Sequence, residues 1–221
     1  MQRKRAVIFA NGVLPNLAAA RALLRADDYL IAADGGARHL ERLGLRPHLL
    51  VGDMDSLSAA EVEALEQAGT TVRRYPPAKD ETDLELALRE AQRAGLREMI
   101  VLAGMGGSMD QSLGNLYLLL QPAYITADAR LDDGCVEAFW VRHRAVIQGR
   151  PGDTVSLLPL LGPVEGILTR GLRYPLRGET LYPEHTRGIS NEMLETEATV
   201  AVTQGLLLCL HERKHLPVAE E

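Results

Sequence analysis

The sequence has little of what several common protein classes require. Only two of its 221 residues are cysteines, Cys135 and Cys209, and neither lies in a metal-binding spacing. Two isolated thiols argue against a disulfide scaffold and indicate a reducing compartment. No apolar run approaches the ~20 residues that a membrane helix needs, and the run over residues 6–10 is too short for a signal peptide. We therefore expect a cytoplasmic protein with no membrane partner.

Positive charge is also scarce. The chain has 24 Lys and Arg against 30 Asp and Glu, a formal net charge of −6, and only three of the basic residues are lysines. A negative balance disfavours broad binding to a phosphate backbone, so we expect no nucleic-acid partner. The sequence contains neither a GxxxxGK[ST] phosphate loop nor a GxGxxG fingerprint. Any nucleotide site must therefore use a different arrangement.

The first half of the chain alternates short apolar runs with longer helical patterns. Ser58 is predicted to cap a helix through Ala68, and Glu61 completes a capping box. Such alternation predicts an α/β domain with a parallel sheet. The predicted strands are Val7–Ala10, Leu30–Ala33, Leu49–Val51, Thr71–Tyr75 and Met99–Ala103, and the predicted helices include Leu17–Ala26, a helix from Thr82 or Asp83 to Ala94, and Asp110–Leu120.

The pattern changes after about Ala123, where helical periodicity disappears. Short β-type runs separated by glycine and proline turns then predict an all-β sandwich. We place the α/β domain at residues 1–125 and the sandwich at residues 133–212. The clearest runs are Cys135–Ile147, Val155–Leu158, Val164–Thr169 and Thr199–Leu210.

Six aspartates fall where a predicted strand gives way to a loop or helix. In an open parallel sheet those strand ends share one edge, where ligands bind, so the carboxylates are expected to converge. Clustered carboxylates repel one another unless cations neutralise them, and their oxygens suit Mg²⁺. Strand-to-helix turns also favour aspartate as a capping residue. Capping accounts for any one of these aspartates, but it is a weaker explanation for all six together. The six are Asp34, Asp53, Asp55, Asp80, Asp83 and Asp110.

Glycines and one lysine accompany these aspartates. Gly35 and Gly36, like the glycines at 104, 106 and 107, follow a strand and precede a helix, where bare amides favour phosphate. Glycine is equally the usual residue of a tight turn. Lys79 directly precedes Asp80-Glu81-Thr82-Asp83, so its ammonium would either offset the carboxylates or contact a phosphate. A solvated loop lysine is the simpler alternative.

Taken in order, these segments resemble the thiamine pyrophosphokinase family. The loops Gly52-Asp53-Met54-Asp55-Ser56 and Lys79-Asp80-Glu81-Thr82-Asp83, at this spacing, carry most of the resemblance. Further matching segments extend it over nearly the whole chain, and they are Ala33–Ala37, Gly106–Asp110 with Asn115, Ser156–Leu160, Thr169–Leu176 and Gly188–Glu192.

The resemblance implies an α/β nucleotide-binding domain followed by a β-sandwich. It implies an enzyme that transfers the β,γ-diphosphate of ATP to the hydroxyl of thiamine, giving thiamine diphosphate and AMP with Mg²⁺ as cofactor. It also implies a homodimer with active sites at the subunit interface.

Site residues follow from the resemblance position by position. Asp53, Asp55 and Asp83 would hold Mg²⁺, which neutralises charge on the transferred group. Asp80 or Asp83 would accept the hydroxyl proton. Tyr174 would stack on thiamine, and Ser190 and Asn191 would hydrogen-bond it or shape its pocket. The expected nucleotide and phosphate contacts are Asn11, Asp34, Gly35, Gly36, Lys79, Thr82, Asp110 and Asn115.

Two departures from the family pattern and two alternative functions stay open. The glycine loop usually carries arginine where this chain has Ser108, and many members have histidine where Gln111 stands. A related pyrophosphokinase for another hydroxymethyl heterocycle, such as a pterin, would have a similar ATP half. A non-catalytic nucleotide or thiamine sensor is the second alternative, favoured only by the missing arginine.

Overall fold

The structure is a computed structural model that describes residues 5–124 and 126–217. Its internal contacts divide the chain into a first unit that runs to Gly134 and a second that extends from Cys135 to Pro217. Each unit has its own fold, α/β in the first and all-β in the second, as the sequence predicts. The exact domain limits proposed from the sequence stay a prediction.

The first unit contains a parallel sheet of six strands in the order β6-β5-β1-β2-β3-β4. Two short 3₁₀ turns, Asp34–Gly36 and Pro122–Tyr124, interrupt the alternation of strands and helices. The elements are β1 (Arg5–Phe9), α1 (Leu17–Ala22), β2 (Tyr29–Ala33), α2 (Ala37–Arg42), β3 (Leu49–Gly52), α3 (Ala59–Gln67), β4 (Thr71–Arg74), α4 (Asp83–Arg93), β5 (Glu98–Leu102), α5 (Met109–Leu118) and β6 (Asp128–Asp132).

The central strand β1 is buried along its whole length, which requires cover on both faces of the sheet. Its alternate residues Val7 and Phe9 pack into one apolar cluster with Leu40 of α2 and Leu50 of β3. The helix α4 packs against β1, β2 and β3. The chain leaves β1 on one side toward β2 and returns on the other side at β5, so the sheet has a topological switch point beside β1.

Local sequence sets the helix boundaries. Ser58 accepts a hydrogen bond from Glu61 N, and the Glu61 side chain accepts one from Ser58 N, which confirms the predicted capping box. The helix α1 is shorter than predicted: it begins after its cap Asn16 but ends at Ala22, not at Ala26. There the chain turns toward the buried Arg5–Asp28 ion pair: Arg5 donates to the carbonyl of Leu23, and the N–H of Arg25 donates to Asp28 Oδ2.

The second unit contains two sets of four antiparallel strands, ordered β12-β9-β14-β7 and β11-β10-β13-β8. One apolar cluster from both sheets forms its core, with Phe139, Ile147, Leu157 and Val200 among its members. The elements are β7 (Val136–Val141), β8 (Arg144–Gln148), β9 (Thr154–Leu158), β10 (Val164–Arg170), β11 (Arg177–Leu181), β12 (Asn191–Glu192), β13 (Glu197–Ala201) and β14 (Leu207–Glu212).

Two long β-type runs are each divided between two strands. The run predicted at Cys135–Ile147 turns at residues 142–143, and the run at Thr199–Leu210 turns around Gly205. Within the described residues, no helix is both long and apolar enough to cross a membrane.

Candidate active site

A cavity of about 640 Å³ opens at the carboxyl ends of the first unit's strands. The loops after β1, β2, β3 and β5 form its walls together with the first turns of α4 and α5. This is the switch point of the sheet, where the loops on either side of β1 diverge and leave a crevice. Its volume is that of a site for a small ligand.

Three carboxylates from separate elements meet at this edge of the sheet. Asp34 follows β2, Asp53 follows β3 and Asp83 begins α4, and one oxygen from each lies within 4.8 Å of the other two. Asp34 is buried, and its Oδ1 makes no hydrogen bond within the described part of the chain. Buried carboxylate oxygens without donors are costly unless a cation approaches them. We call Asp34, Asp53 and Asp83 the carboxylate group.

One ammonium group lies against this carboxylate group. Lys79 Nζ donates to Asp53 Oδ2 at 2.9 Å and forms an ion pair with Asp83 Oδ1 at 3.1 Å. The side chains of Lys79 and Asp53 are only 10% and 11% exposed. The two contacts offset part of the negative charge that the three carboxylates bring together.

The local environment moves the pKa values of the two aspartates in opposite directions. The hydrogen bond from Lys79 lowers the pKa of Asp53. Burial raises the pKa of Asp83, and Lys79 reverses only part of that effect. Burial alone would lower the pKa of Lys79, but its contacts with Asp53 and Asp83 outweigh it and raise the pKa. The ammonium is therefore fully charged at neutral pH.

The backbone around the cavity is strained at three residues that are not glycine. Asp34, Met54 and Ala103 have φ of 44°, 66° and 54°, in the left-handed region that L-residues rarely adopt. They follow β2, β3 and β5, so the strained residues lie at the strand ends beside the cavity. Strain of this kind persists where the surrounding structure imposes it, and it is typical of functional sites.

The remaining aspartates differ in position. Asp55 lines the cavity but is exposed, and its backbone N–H donates to Asp53 Oδ1 at 3.3 Å. Asp110 also lines the cavity and accepts a hydrogen bond from Ser108 Oγ. Asp80 is exposed on the loop before α4 and is not part of the cavity wall. The closely spaced carboxylates thus include Asp34 and not Asp55, whose predicted role as a metal ligand stays a prediction.

The glycines after β2 are required by close packing. A Cβ on Gly36 would lie 1.9 Å from the carbonyl oxygen of Phe9, and a Cβ on Gly35 would lie 2.4 Å from the side chain of Asn11. Asn11 itself lines the cavity and donates to Ser56 Oγ at 3.2 Å. The glycines therefore let the loops after β1 and β2 approach each other closely beside the carboxylate group.

Thr82 and Asn115 stabilise the cavity wall as well as lining it. Thr82 Oγ1 accepts a hydrogen bond from Glu85 N and so caps α4, which fixes Asp83 in the first turn of that helix. Asn115 Nδ2 donates to the carbonyl oxygen of Gly104 at 2.8 Å and holds the glycine loop against α5.

The cavity wall carries no lysine or arginine among the described residues that line it. Ser108 stands at the start of α5, where the family pattern has arginine, and its hydroxyl is bonded to Asp110. Gln111 lines the cavity in the position where many members have histidine. Among the described residues, Lys79 supplies the cationic contacts to the carboxylate group.

In the second unit, Asn191 joins two segments that the sequence analysis assigned to ligand binding. Its Oδ1 accepts from Tyr174 N at 3.0 Å and from Glu192 N at 2.9 Å, and its Nδ2 donates to the carbonyl oxygen of Tyr174 at 2.8 Å. The side chain is 7% exposed. Asn191 therefore fixes the backbone that carries Tyr174.

Tyr174 and Ser190 remain accessible. Tyr174 is 67% exposed, so its ring face is free to meet a ligand. Ser190 is exposed with φ of 56°, and its backbone N–H donates to Ser156 Oγ at 3.0 Å. Whether either residue contacts thiamine stays a prediction.

Several residues of the cavity wall were absent from the sequence-based set, and Gly12 and Ala103 are two of them. A Cβ on Gly12 would lie 2.4 Å from the carbonyl oxygen of Ala103, and both residues line the cavity. Gly12 is signalled by the Asn-Gly pair directly after β1. Ala103 gives no signal in the sequence, because its unusual φ comes from the surrounding packing.

Comparisons with known proteins agree with this site and fold. The family model "Thiamin pyrophosphokinase, catalytic domain" matches residues 20–130, and "Thiamin pyrophosphokinase, vitamin B1 binding domain" matches residues 143–207. Together the two models cover well over half of the chain.

Relatives match along most of their length. The Bacillus subtilis thiamine pyrophosphokinase is 27% identical over 182 residues, which covers 81% of this chain and 85% of that protein. An Oryza sativa thiamine pyrophosphokinase is 26% identical over 225 residues, covering 90% and 83%. The crystal structure of the Bacillus subtilis enzyme superposes with a TM-score of 0.84 at 25% identity, covering 96% of this chain and all of that one. With both family models matched and the fold shared, this chain belongs to the thiamine pyrophosphokinase family.

Proposed function

We propose that this protein transfers the diphosphate of ATP to the hydroxyl of thiamine, with Mg²⁺ as its cofactor. The thiamine oxygen forms a bond to the β-phosphorus while the bond from that phosphorus to the α–β bridging oxygen breaks. AMP leaves, and the hydroxyl proton passes to a protein carboxylate or to solvent. The observation that carries the proposal is the carboxylate group at the switch point of the sheet.

The donor set fits a divalent cation. Asp34, Asp53 and Asp83 supply hard oxygen ligands within 4.8 Å of one another, and the buried Oδ1 of Asp34 makes no hydrogen bond in the described structure. Oxygen ligands of this kind suit Mg²⁺, which is commonly held by one or two carboxylates together with substrate phosphates. Asp55, on the same loop as Asp53, is the candidate for a further contact. When bound, the ion would neutralise charge on the transferred phosphoryl groups.

The chain's own residues supply the remaining contacts. Lys79 would contact the phosphates. Asp80, exposed on the same loop, is the candidate to accept the hydroxyl proton because Asp83 is engaged by Lys79. Asn11, Asp110 and the glycines after β2 and β5 would line the nucleotide.

Thiamine binding is assigned to the second unit. The exposed ring of Tyr174 offers a π-face to a cationic aromatic ligand, and Asn191 holds the backbone beneath it. A homodimer with active sites at the subunit interface and a cytoplasmic location complete the proposal, supported by the family resemblance.

The match to a vitamin B1 binding domain favours thiamine over a pterin as the acceptor. The match to the thiamine pyrophosphokinase catalytic domain and to the Bacillus subtilis enzyme favours catalysis over a non-catalytic sensor. The presence of Ser108 where arginine is usual is then expected to change the affinity for the nucleotide and not the reaction that is catalysed.

Incubation of the purified protein with ATP, Mg²⁺ and thiamine tests the proposal. AMP and thiamine diphosphate should appear in equal amounts by chromatography, and neither should form without metal or without thiamine. Asp83→Asn should lower the rate by about a hundredfold or more, because it removes a charge from the carboxylate group. Asp27→Asn is the matched control, since Asp27 lies outside the cavity wall. ATP binding without product formation from thiamine or from a hydroxymethylpterin would favour the sensor.

A further inference from the structure

Lys79 contacts the same carboxylates that are proposed to hold the divalent cation. Its Nζ lies 2.9 Å from Asp53 Oδ2 and 3.1 Å from Asp83 Oδ1, so it contacts two of the three carboxylates. A divalent ion bound to these carboxylates would sit about 2.1 Å from their oxygens. An ammonium and a divalent ion at these carboxylates repel each other and compete for the oxygens that Lys79 contacts, so binding of the ion weakens the hold on the ammonium.

The surrounding structure allows the ammonium to leave without moving the loop. Glu81 is held by Arg89 at 2.8 Å, and Thr82 caps α4, so the backbone that follows Lys79 is anchored. The lysine side chain has a flexible four-carbon stem and carries a compact charge. Its displacement therefore requires rotation about side-chain bonds only.

The charge of the cavity gives the displaced ammonium a second partner. No described residue of the cavity wall is basic, whereas Asp34, Asp55, Asp83 and Asp110 all line it. A nucleotide polyphosphate entering this cavity would find Lys79 as the nearby cationic side chain. Hydrogen bonds to phosphate oxygens would thus replace the hydrogen bonds to carboxylates that the ammonium loses.

We propose that Lys79 is an exchangeable counter-ion: it occupies the carboxylate group in the ligand-free protein and transfers to the nucleotide phosphates when the divalent cation binds. This inference rests on the proposed function and adds the order of events to it. Metal alone must displace the ammonium with no compensating contact, so it binds weakly. When metal and nucleotide bind together, the displaced ammonium gains phosphate contacts, so each ligand strengthens the binding of the other.

The first experiment follows Lys79 in the wild-type protein. The chain has only three lysines, so trace labelling with acetic anhydride followed by mass spectrometry resolves each one. Saturating Mg²⁺ should increase the labelling rate of Lys79 about tenfold, and further addition of α,β-methylene-ATP should protect it again. The rate at Lys214, an exposed lysine paired with Glu212, should stay constant. An unchanged Lys79 rate in metal-saturated protein would overturn the inference.

The second experiment measures Mn²⁺ binding by electron paramagnetic resonance. Without nucleotide, Lys79→Met should bind Mn²⁺ about tenfold more tightly than wild type, and α,β-methylene-ATP should strengthen its Mn²⁺ binding less. Lys79→Arg, which keeps the charge, should retain weak binding, and Lys214→Met is the matched control. Equal Mn²⁺ affinity in Lys79→Met and wild type contradicts the inference. Undiminished Mn²⁺ affinity in Asp83→Asn instead contradicts the proposed metal site.

Discussion

Substitution of Asn191 tests whether this residue stabilises the second unit and positions Tyr174 for the proposed ligand. Replacing it with alanine removes three hydrogen bonds, two to the backbone of Tyr174 and one to the N–H of Glu192. Each such bond contributes about 1 kcal/mol, and Asn191 is nearly buried, so water replaces them poorly. We expect Asn191→Ala to lower the free energy of unfolding by about 2–3 kcal/mol. The KM for thiamine should rise because Tyr174 loses its fixed position.

Urea denaturation, monitored by tryptophan fluorescence, measures the change in the stability of the second unit. Trp140 is the only tryptophan of the chain and lies in β7, paired with Leu208 of β14. Its emission therefore reports unfolding of the second unit. Asn191→Asp should fall between wild type and alanine, because it keeps both acceptor contacts but places an oxygen against the Tyr174 carbonyl.

Ser190→Gly is the control that separates positioning from direct contact. Ser190 has a positive φ, so glycine relieves strain and should leave stability unchanged or raise it by up to about 1 kcal/mol. Any increase in the thiamine KM of this variant would then reflect the lost hydroxyl. The reasoning about Asn191 is refuted if its alanine variant unfolds at the wild-type urea concentration while the thiamine KM rises.

Two further stability predictions address the two units separately. Gly36→Ala should cost about 3 kcal/mol or more by calorimetry because its Cβ would meet a backbone oxygen, whereas Gly114→Ala on α5, with open space around it, should cost nothing. Burial raises the pKa of Asp153, but donors that include His211 outweigh it and lower the pKa below 3.8. Its stabilising effect is therefore present above pH 3.8 and lost in stronger acid. Asp153→Asn should lose about 2–3 kcal/mol in urea at pH 7, and its deficit should shrink below about pH 4.

The first unit was predictable because its signals are local and agree with one another. Alternating apolar runs and helical patterns specify the parallel sheet, and Ser58 with Glu61 specifies a helix start without any tertiary information. Once the sheet is parallel, the convergence of aspartates at one edge follows from geometry alone. The early end of α1 at Ala22 could not be predicted from the local sequence, because the chain beyond it turns toward a buried ion pair between the distant residues Arg5 and Asp28.

The precise membership of the carboxylate group depended on features that residue types do not show. Asp34 points toward Asp53 and Asp83 from a left-handed backbone conformation, which the sequence Asp-Gly-Gly permits but does not require. The resemblance placed Asp34 with the nucleotide, and the fold adds its proximity to the metal candidates. Strain of this kind is set by packing from several elements, so no local pattern reports it.

In the second unit, strand boundaries were harder to predict than strand content. The turn between β7 and β8 is made by Arg142 and His143, which are neither glycine nor proline, so the two strands looked like one run. The strand β12 has only two residues, Asn191 and Glu192, both polar. Its pairing with β9 follows from long-range register that a single sequence does not encode locally.

The charge of the cavity explains how a family member can function with Ser108 where arginine is usual. Four aspartates line the cavity and no basic side chain does so among its described residues, so a polyphosphate cannot enter on protein charge alone. On the proposed function, positive charge would come from the divalent cation and from Lys79, which already offsets part of the charge of Asp53 and Asp83 in the free protein. An arginine at position 108 would add a fixed positive charge and make nucleotide binding less dependent on metal. Ser108→Arg should therefore tighten ATP-analogue binding most when Mg²⁺ is absent, and an equal gain with and without Mg²⁺ would contradict this account of the site.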